Sequence, residues 1–256
     1  MINLLRSEWI KLRTVTMNWV LGIIAIVFPL LITLLTAFFA SGDDGDGSGL
    51  DTEGLISVLT GTTVVAALLC GVIAAASITS EFGFGTIRPT FAATPRRLRV
   101  VAAKGAVVVA ATTVLAAVVQ LIGWFVGSAI ADSQGASIDL ADVPTGVPAM
   151  LGAVVLTALM SLAGYALGLL TRSTPVAVSI LIVWPLIAEG LIAQLLVLAA
   201  SNDSIPNWMP FQSGIRLVVV GAVDLGPSRP VAGIYFGLFA LALAALGAWT
   251  VNRRDA

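Results

Sequence analysis

The sequence predicts an all-α polytopic membrane protein: six transmembrane helices with both termini cytoplasmic, preceded by an interfacial amphipathic helix. Three observations lead there. Of 256 residues, 58% are hydrophobic and 11% charged, with mean hydropathy +1.03, whereas a soluble domain carries roughly 25% charged residues. Six apolar runs are each long enough to cross about 30 Å of hydrocarbon as helix. The loops between them alternate between basic and acidic, the sorting described by the positive-inside rule. The runs are continuous rather than alternating with period two, which favours helices over a barrel.

Taken in order, residues 1–14 place Ile2, Leu5, Trp9 and Leu12 at helical spacing, with Arg6, Lys11 and Arg13 set off from them. This is the pattern of a helix lying along the inner membrane face, although the same basic residues would also serve simply to orient the first span. Span one covers 17–39. It exceeds the roughly 7–15 residues of a signal-peptide core and is read as a retained helix. The Gly- and Asp-rich stretch 41–53 comes next; Asp43, Asp44 and Asp46 lack the order of a calcium loop, so it is read as a flexible outer linker.

Span two covers 55–79 and leads into EFGFGTIRPTFAATPRRLR, residues 81–99. The arginines here place the segment on the cytoplasmic side. Phe82, Phe84, Ile87 and Phe91 add an apolar face, and Gly83, Gly85, Pro89 and Pro95 break the segment into short pieces. Span three covers 105–131 and is followed by Asp132, Asp139 and Asp142; span four covers 146–170 and is followed by Arg172. Span five, 176–200, contains Glu189, the one charged residue in any of the six runs. The loop 201–230 is not simply solvated, because Pro206, Trp208, Pro210 and the apolar stretch 215–223 suit a short helix or re-entrant segment at the outer surface. Span six covers 231–251, with Arg253 and Arg254 behind it. Arg216 and Arg229 alone place basic charge on the outer side.

Several chemistries are excluded. There is no histidine, which removes His-dependent metal sites and Ser-His or Cys-His nucleophile pairs. The two lysines, Lys11 and Lys104, follow no glycine-rich phosphate loop, so the chain lacks a P-loop of its own. Cys70 is single and cannot form an internal disulfide.

Glu189 would cost about 2.5–3.5 kcal/mol as a charge at mid-span. It is either a cavity or coupling residue or a glutamate paired near the outer end of its span. Together with Gln120 and Gln194 it is a candidate for a translocation path. One intramembrane acid makes a poor ion pathway, and no inverted repeat is visible, which argues against a secondary transporter. Three stretches, Gly123–Gly127, Gly164–Gly168 and Gly233–Gly237, have the spacing for close helix contact.

The N-terminal SEWIKLRT (with Ser7, Glu8, Trp9, Lys11 and Arg13) and the later Glu81, Phe82, Gly85, Thr86, Pro95, Arg96 and Arg97 resemble, in joint placement, the permease subunits of bacterial type-2 ABC transporters. Pro210 to Gly214 resembles the Pro-x-x-x-Gly element before the last span of such permeases. The resemblance covers the chain in order and topology. It implies a single permease domain over 1–256 in the bacterial cytoplasmic (inner) membrane, forming the path of an ATP-driven exporter. Residues 80–100, with Arg88 among them, would be the segment coupling to the ATPase. The implied partners are two copies of an ABC ATPase subunit, a second permease copy (homodimer or heterodimer) and membrane lipid, with no nucleic acid. No cofactor is expected on this chain; ATP and Mg would bind the partner ATPase, and the chain itself would not be an enzyme. The alternative is a non-transporting immunity or sensor subunit with the same fold.

Overall fold

The computed structural model describes residues 2–39, 50–87, 89, 97–221 and 226–253. Helix α1 spans Ile2–Thr14 and is followed by α2, Thr16–Phe39. Helices α3 (Thr52–Gly83), α4 (Arg97–Ser133) and α5 (Gly146–Thr171) come next. Span five is α6, Thr174–Ala200. A short helix α7, Pro210–Ile215, precedes α8, Arg229–Arg253. Six of these helices are long and apolar enough to cross a membrane.

The observed helices are longer than the apolar runs at two cytoplasmic ends. Helix α3 continues past 79 to Gly83, and α4 begins at Arg97 rather than near 105. Glu81, Arg97 and Lys104 are therefore helical residues, not loop residues.

Helix α3 is the centre of the bundle and is buried along most of its length. Its N-terminus is capped by Asp51, whose carboxylate accepts from the Gly54 N–H at 2.7 Å. Its closest neighbour is α5, because small residues let the two backbones approach. A Cβ added at Gly164 would collide with the Gly71 carbonyl, and one at Gly168 would lie 2.9 Å from the Ala75 carbonyl oxygen. Gly164→Ala is therefore expected to force the helices apart and cost about 1–3 kcal/mol of stability. Gly237→Ala, whose added atom would meet only Leu159 at 3.7 Å, should leave the unfolding transition in detergent unchanged.

The outer helices bury only one stripe. In α2 the buried positions are Ala25, Pro29, Thr33 and Ala37, four residues apart on one face. Trp19, Ile23, Val27, Leu31 and Leu35 point outward, the arrangement expected where hydrocarbon is the solvent.

Helix α6 is interrupted by Pro185. Proline has no N–H to donate, and the turn Trp184–Ala188 widens so that the Glu189 N–H reaches back to the Trp184 carbonyl. Beyond α6, residues 205–218 fold back on the bundle as short helical turns around α7. Phe211 packs on Phe236 and Phe239 of α8 with ring centroids 5.2 and 5.8 Å away. The Leu217 carbonyl rests directly on Gly152 of α5, and Thr60 of α3 donates to the Val218 carbonyl at 2.9 Å. Arg216 and Arg229, the basic residues on the outer side, tie this segment together. Arg216 donates to the Asn207 side chain at 2.8 Å, and Arg229 to the Val219 carbonyl at 2.6 Å.

Candidate functional site

At the cytoplasmic base of the bundle, three helices meet around four charges. Glu8 and Lys11, three residues apart, share a face of α1. Glu81 lies in the last turn of α3, and Lys104 lies two turns into α4. Lys11 Nζ stands 2.8 Å from Glu8 Oε1 and 3.0 Å from Glu81 Oε1; Lys104 Nζ stands 2.6 Å from Glu8 Oε2 and 2.9 Å from Glu81 Oε1. Each cation touches both anions, so the four pairs close into a ring with no net charge. Both lysines of the sequence are in it, with two of its four glutamates.

Burial makes the ring consequential. The Glu8, Lys104 and Glu81 side chains are 1, 7 and 11% exposed, while Lys11 forms the wet edge at 42%. Burial alone would raise the pKa of Glu8, but the contacts with Lys104 and Lys11 outweigh it and hold the carboxyl below its ordinary value. Burial would likewise lower that of Lys11, and Glu8 and Glu81 together raise it. Glu8 therefore contributes stability above the ordinary carboxylate range, lost as pH falls through its lowered value. Lys11 contributes below the ordinary lysine range and loses its part as pH rises through its raised value. A cavity of about 400 Å³ lies beside the ring, lined in part by Asn18, Ser80, Glu81 and Lys104.

The same end of α3 is fastened on its other side. The Arg172 guanidinium sits 4.9 Å over the Phe82 ring, and the Thr79 and Thr174 hydroxyls are 2.6 Å apart. Phe82 and Thr79 thus hold the α5–α6 turn while Glu81 holds α1 and α4. The chain then turns through Gly85 at φ +70°, with Phe84 84% exposed and Ile87 buried. Thr86 lines the cavity, and Arg97 opens α4. Arg88, Pro95 and Arg96 lie outside the described residues.

The structure brings Glu8, Lys11 and Glu81 together and adds Lys104, to which the sequence alone assigns no site role. The faces of α1 also differ from the expected division into apolar and basic sides. Lys11 turns inward to the ring with Glu8, whereas Trp9 turns outward, 47% exposed, beside exposed Arg13. The basic residues of α1 are divided between two faces because one of them has a carboxylate partner inside.

The three path candidates do not meet. Gln120 is buried and donates to the Thr63 hydroxyl at 2.7 Å; Gln194 is exposed on α6. Glu189 is 1% exposed and accepts from the Phe211 N–H at 3.0 Å and the Gln212 N–H at 2.9 Å, one through each oxygen. It caps the first turn of α7, where backbone donors and the helix dipole both favour an anion. None of the three lines the cytoplasmic cavity.

Residues 4–188 match a family described as ABC-2 family transporter protein. The match runs from α1 into α6 and includes all four ring residues. No curated protein matches the chain.

Proposed function

Since the chain belongs to the ABC-2 transporter family and is the multi-pass membrane permease of an ABC transporter, we propose that it forms the translocation path of an exporter driven by a separate ATPase. The charge ring is the observation that supports this most. Motion delivered to the segment between α3 and α4 reaches Glu81 directly, and Glu81 is shared by α1 and α4 through two lysines. Helices so joined move as a unit, and the Thr79 and Phe82 contacts extend the unit to the α5–α6 turn. Exposed Phe84 supplies an apolar contact for an ATPase cleft. A charged ring suits this role because its geometry is directional while its total charge is zero, which limits the cost of burial.

In this reading ATP and Mg bind two copies of the partner, the permease pairs with a second copy, and the complex resides in a bacterial cytoplasmic membrane. Co-expression with a candidate P-loop ATPase subunit from the same genome tests the assignment. A complex of two permeases and two ATPases that hydrolyses ATP is expected. A permease that purifies alone under conditions in which the ATPase is folded and abundant would contradict it.

A further inference from the structure

Helix α1 has a second face, and it carries no carboxylate. Arg6, Trp9, Ile10 and Arg13 are all exposed at helical spacing, while Glu8 is turned into the ring. Arg13 and Trp9 stand at the mouth of a groove of about 210 Å³ that runs from the end of α1 along α2 toward mid-membrane. Its walls include Ile23, Ile26, Ile73 and Leu115. Its floor is open at Gly22, where an added Cβ would meet only Leu115 at 3.9 Å. Trp19, 58% exposed, is held at the mouth because its indole N–H donates to the Arg13 carbonyl at 2.6 Å. From Trp19 to Ile26 the groove extends about 10 Å at 1.5 Å per residue.

We propose that this groove and the arginine face bind one anionic phospholipid of the cytoplasmic leaflet, its phosphate on Arg13 and Arg6 and one acyl chain in the groove. The chemistry is complementary at both ends. Guanidinium groups pair with phosphate oxygens, and among the described residues Arg6 and Arg13 make no ion pair with a carboxylate. Indoles favour the headgroup level, where one edge is wet and the other apolar. The groove below them is lined almost wholly by aliphatic side chains at the depth of acyl chains. A lipid seated there wedges α1 against α2 and α4 and so sets the tilt at which Glu8 and Lys11 enter the ring. The site is independent of what the transporter carries.

The test uses the full chain in phosphatidylcholine vesicles containing a minor fraction of phosphatidylglycerol with brominated acyl chains. The emission of Trp9 and Trp19 is isolated as the difference between the chain and its Trp9→Phe/Trp19→Phe variant. Quenching is expected to saturate at a phosphatidylglycerol fraction where brominated phosphatidylcholine at the same fraction has barely begun to quench. Arg6→Gln/Arg13→Gln should raise the half-quenching fraction by about fivefold for each arginine. Gly22→Leu, which fills the groove, should reduce the depth of quenching. Equal half-quenching fractions for the two lipids would overturn the proposal, as would an arginine variant that quenches like the parent; the arginine pair decides the matter even if Gly22→Leu does not fold.

Discussion

Lys104→Met should lower the stability of the folded chain by about 3 kcal/mol, the low end of the loss expected when one partner of a buried ion pair is removed. The low end applies because Lys11 remains beside both glutamates, yet three of the four ring side chains are nearly inaccessible, so the leftover negative charge has little water to relax into. The diagnostic comparison is the double variant. Glu8→Gln/Lys104→Met leaves the neutral pair Lys11–Glu81, and most of the lost stability should return even though three of the four native pairs are gone. Lys11→Met is expected to cost less than Lys104→Met, because the Lys11 side chain is 42% exposed and solvent screens it. Unfolding in mixed micelles measures all three. Additive losses in the double variant would show that the ring is a set of independent contacts.

Glu189→Leu should cost about 2–6 kcal/mol, from two backbone donors that each lose a charged acceptor at about 1–3 kcal/mol. The Phe211 N–H has no water to turn to, since Phe211 is 3% exposed. The damage should be local before it is global. Hydrogen exchange across 205–218 is expected to accelerate by about tenfold or more while the α3–α5 pair stays protected. Glu189→Gln keeps one acceptor oxygen but presents an NH₂ to the second N–H, so about half the loss should remain. Unchanged exchange in Glu189→Leu would mean that α7 is held by Phe211, Phe236 and Phe239 alone.

The six spans were legible because each is an uninterrupted apolar run, and hydrocarbon admits few other structures. Where the helices outrun the apolar runs, the reason is the ring. Glu81 and Lys104 looked like loop residues because single charges end a hydropathy run, and only the fold shows them neutralised inside helices. The same cause misassigned the faces of α1: Trp9 suits an apolar face as well as an interfacial one, and the partner that draws Lys11 inward lies 70 residues away. The glycine spacing in α5 was visible, but its counterpart Gly71 has no glycine four residues away in α3 and Gly152 opposes a backbone carbonyl, so neither carried a pattern. Glu189 was legible as an anomaly. Its acceptor role was not, because backbone N–H groups have no signature in sequence.

That the ring carries motion from the ATPase side to the spans is tested most directly by spin labels at Ser133 and Ser201, at the outer ends of α4 and α6, in the permease–ATPase complex. In the parent protein, ATP should shift the distance distribution between them. In Glu8→Gln/Lys104→Met, with ATPase binding retained, the distribution should stay where it is without ATP. An ATP-driven shift of the same size in that variant would contradict a coupling role for the ring.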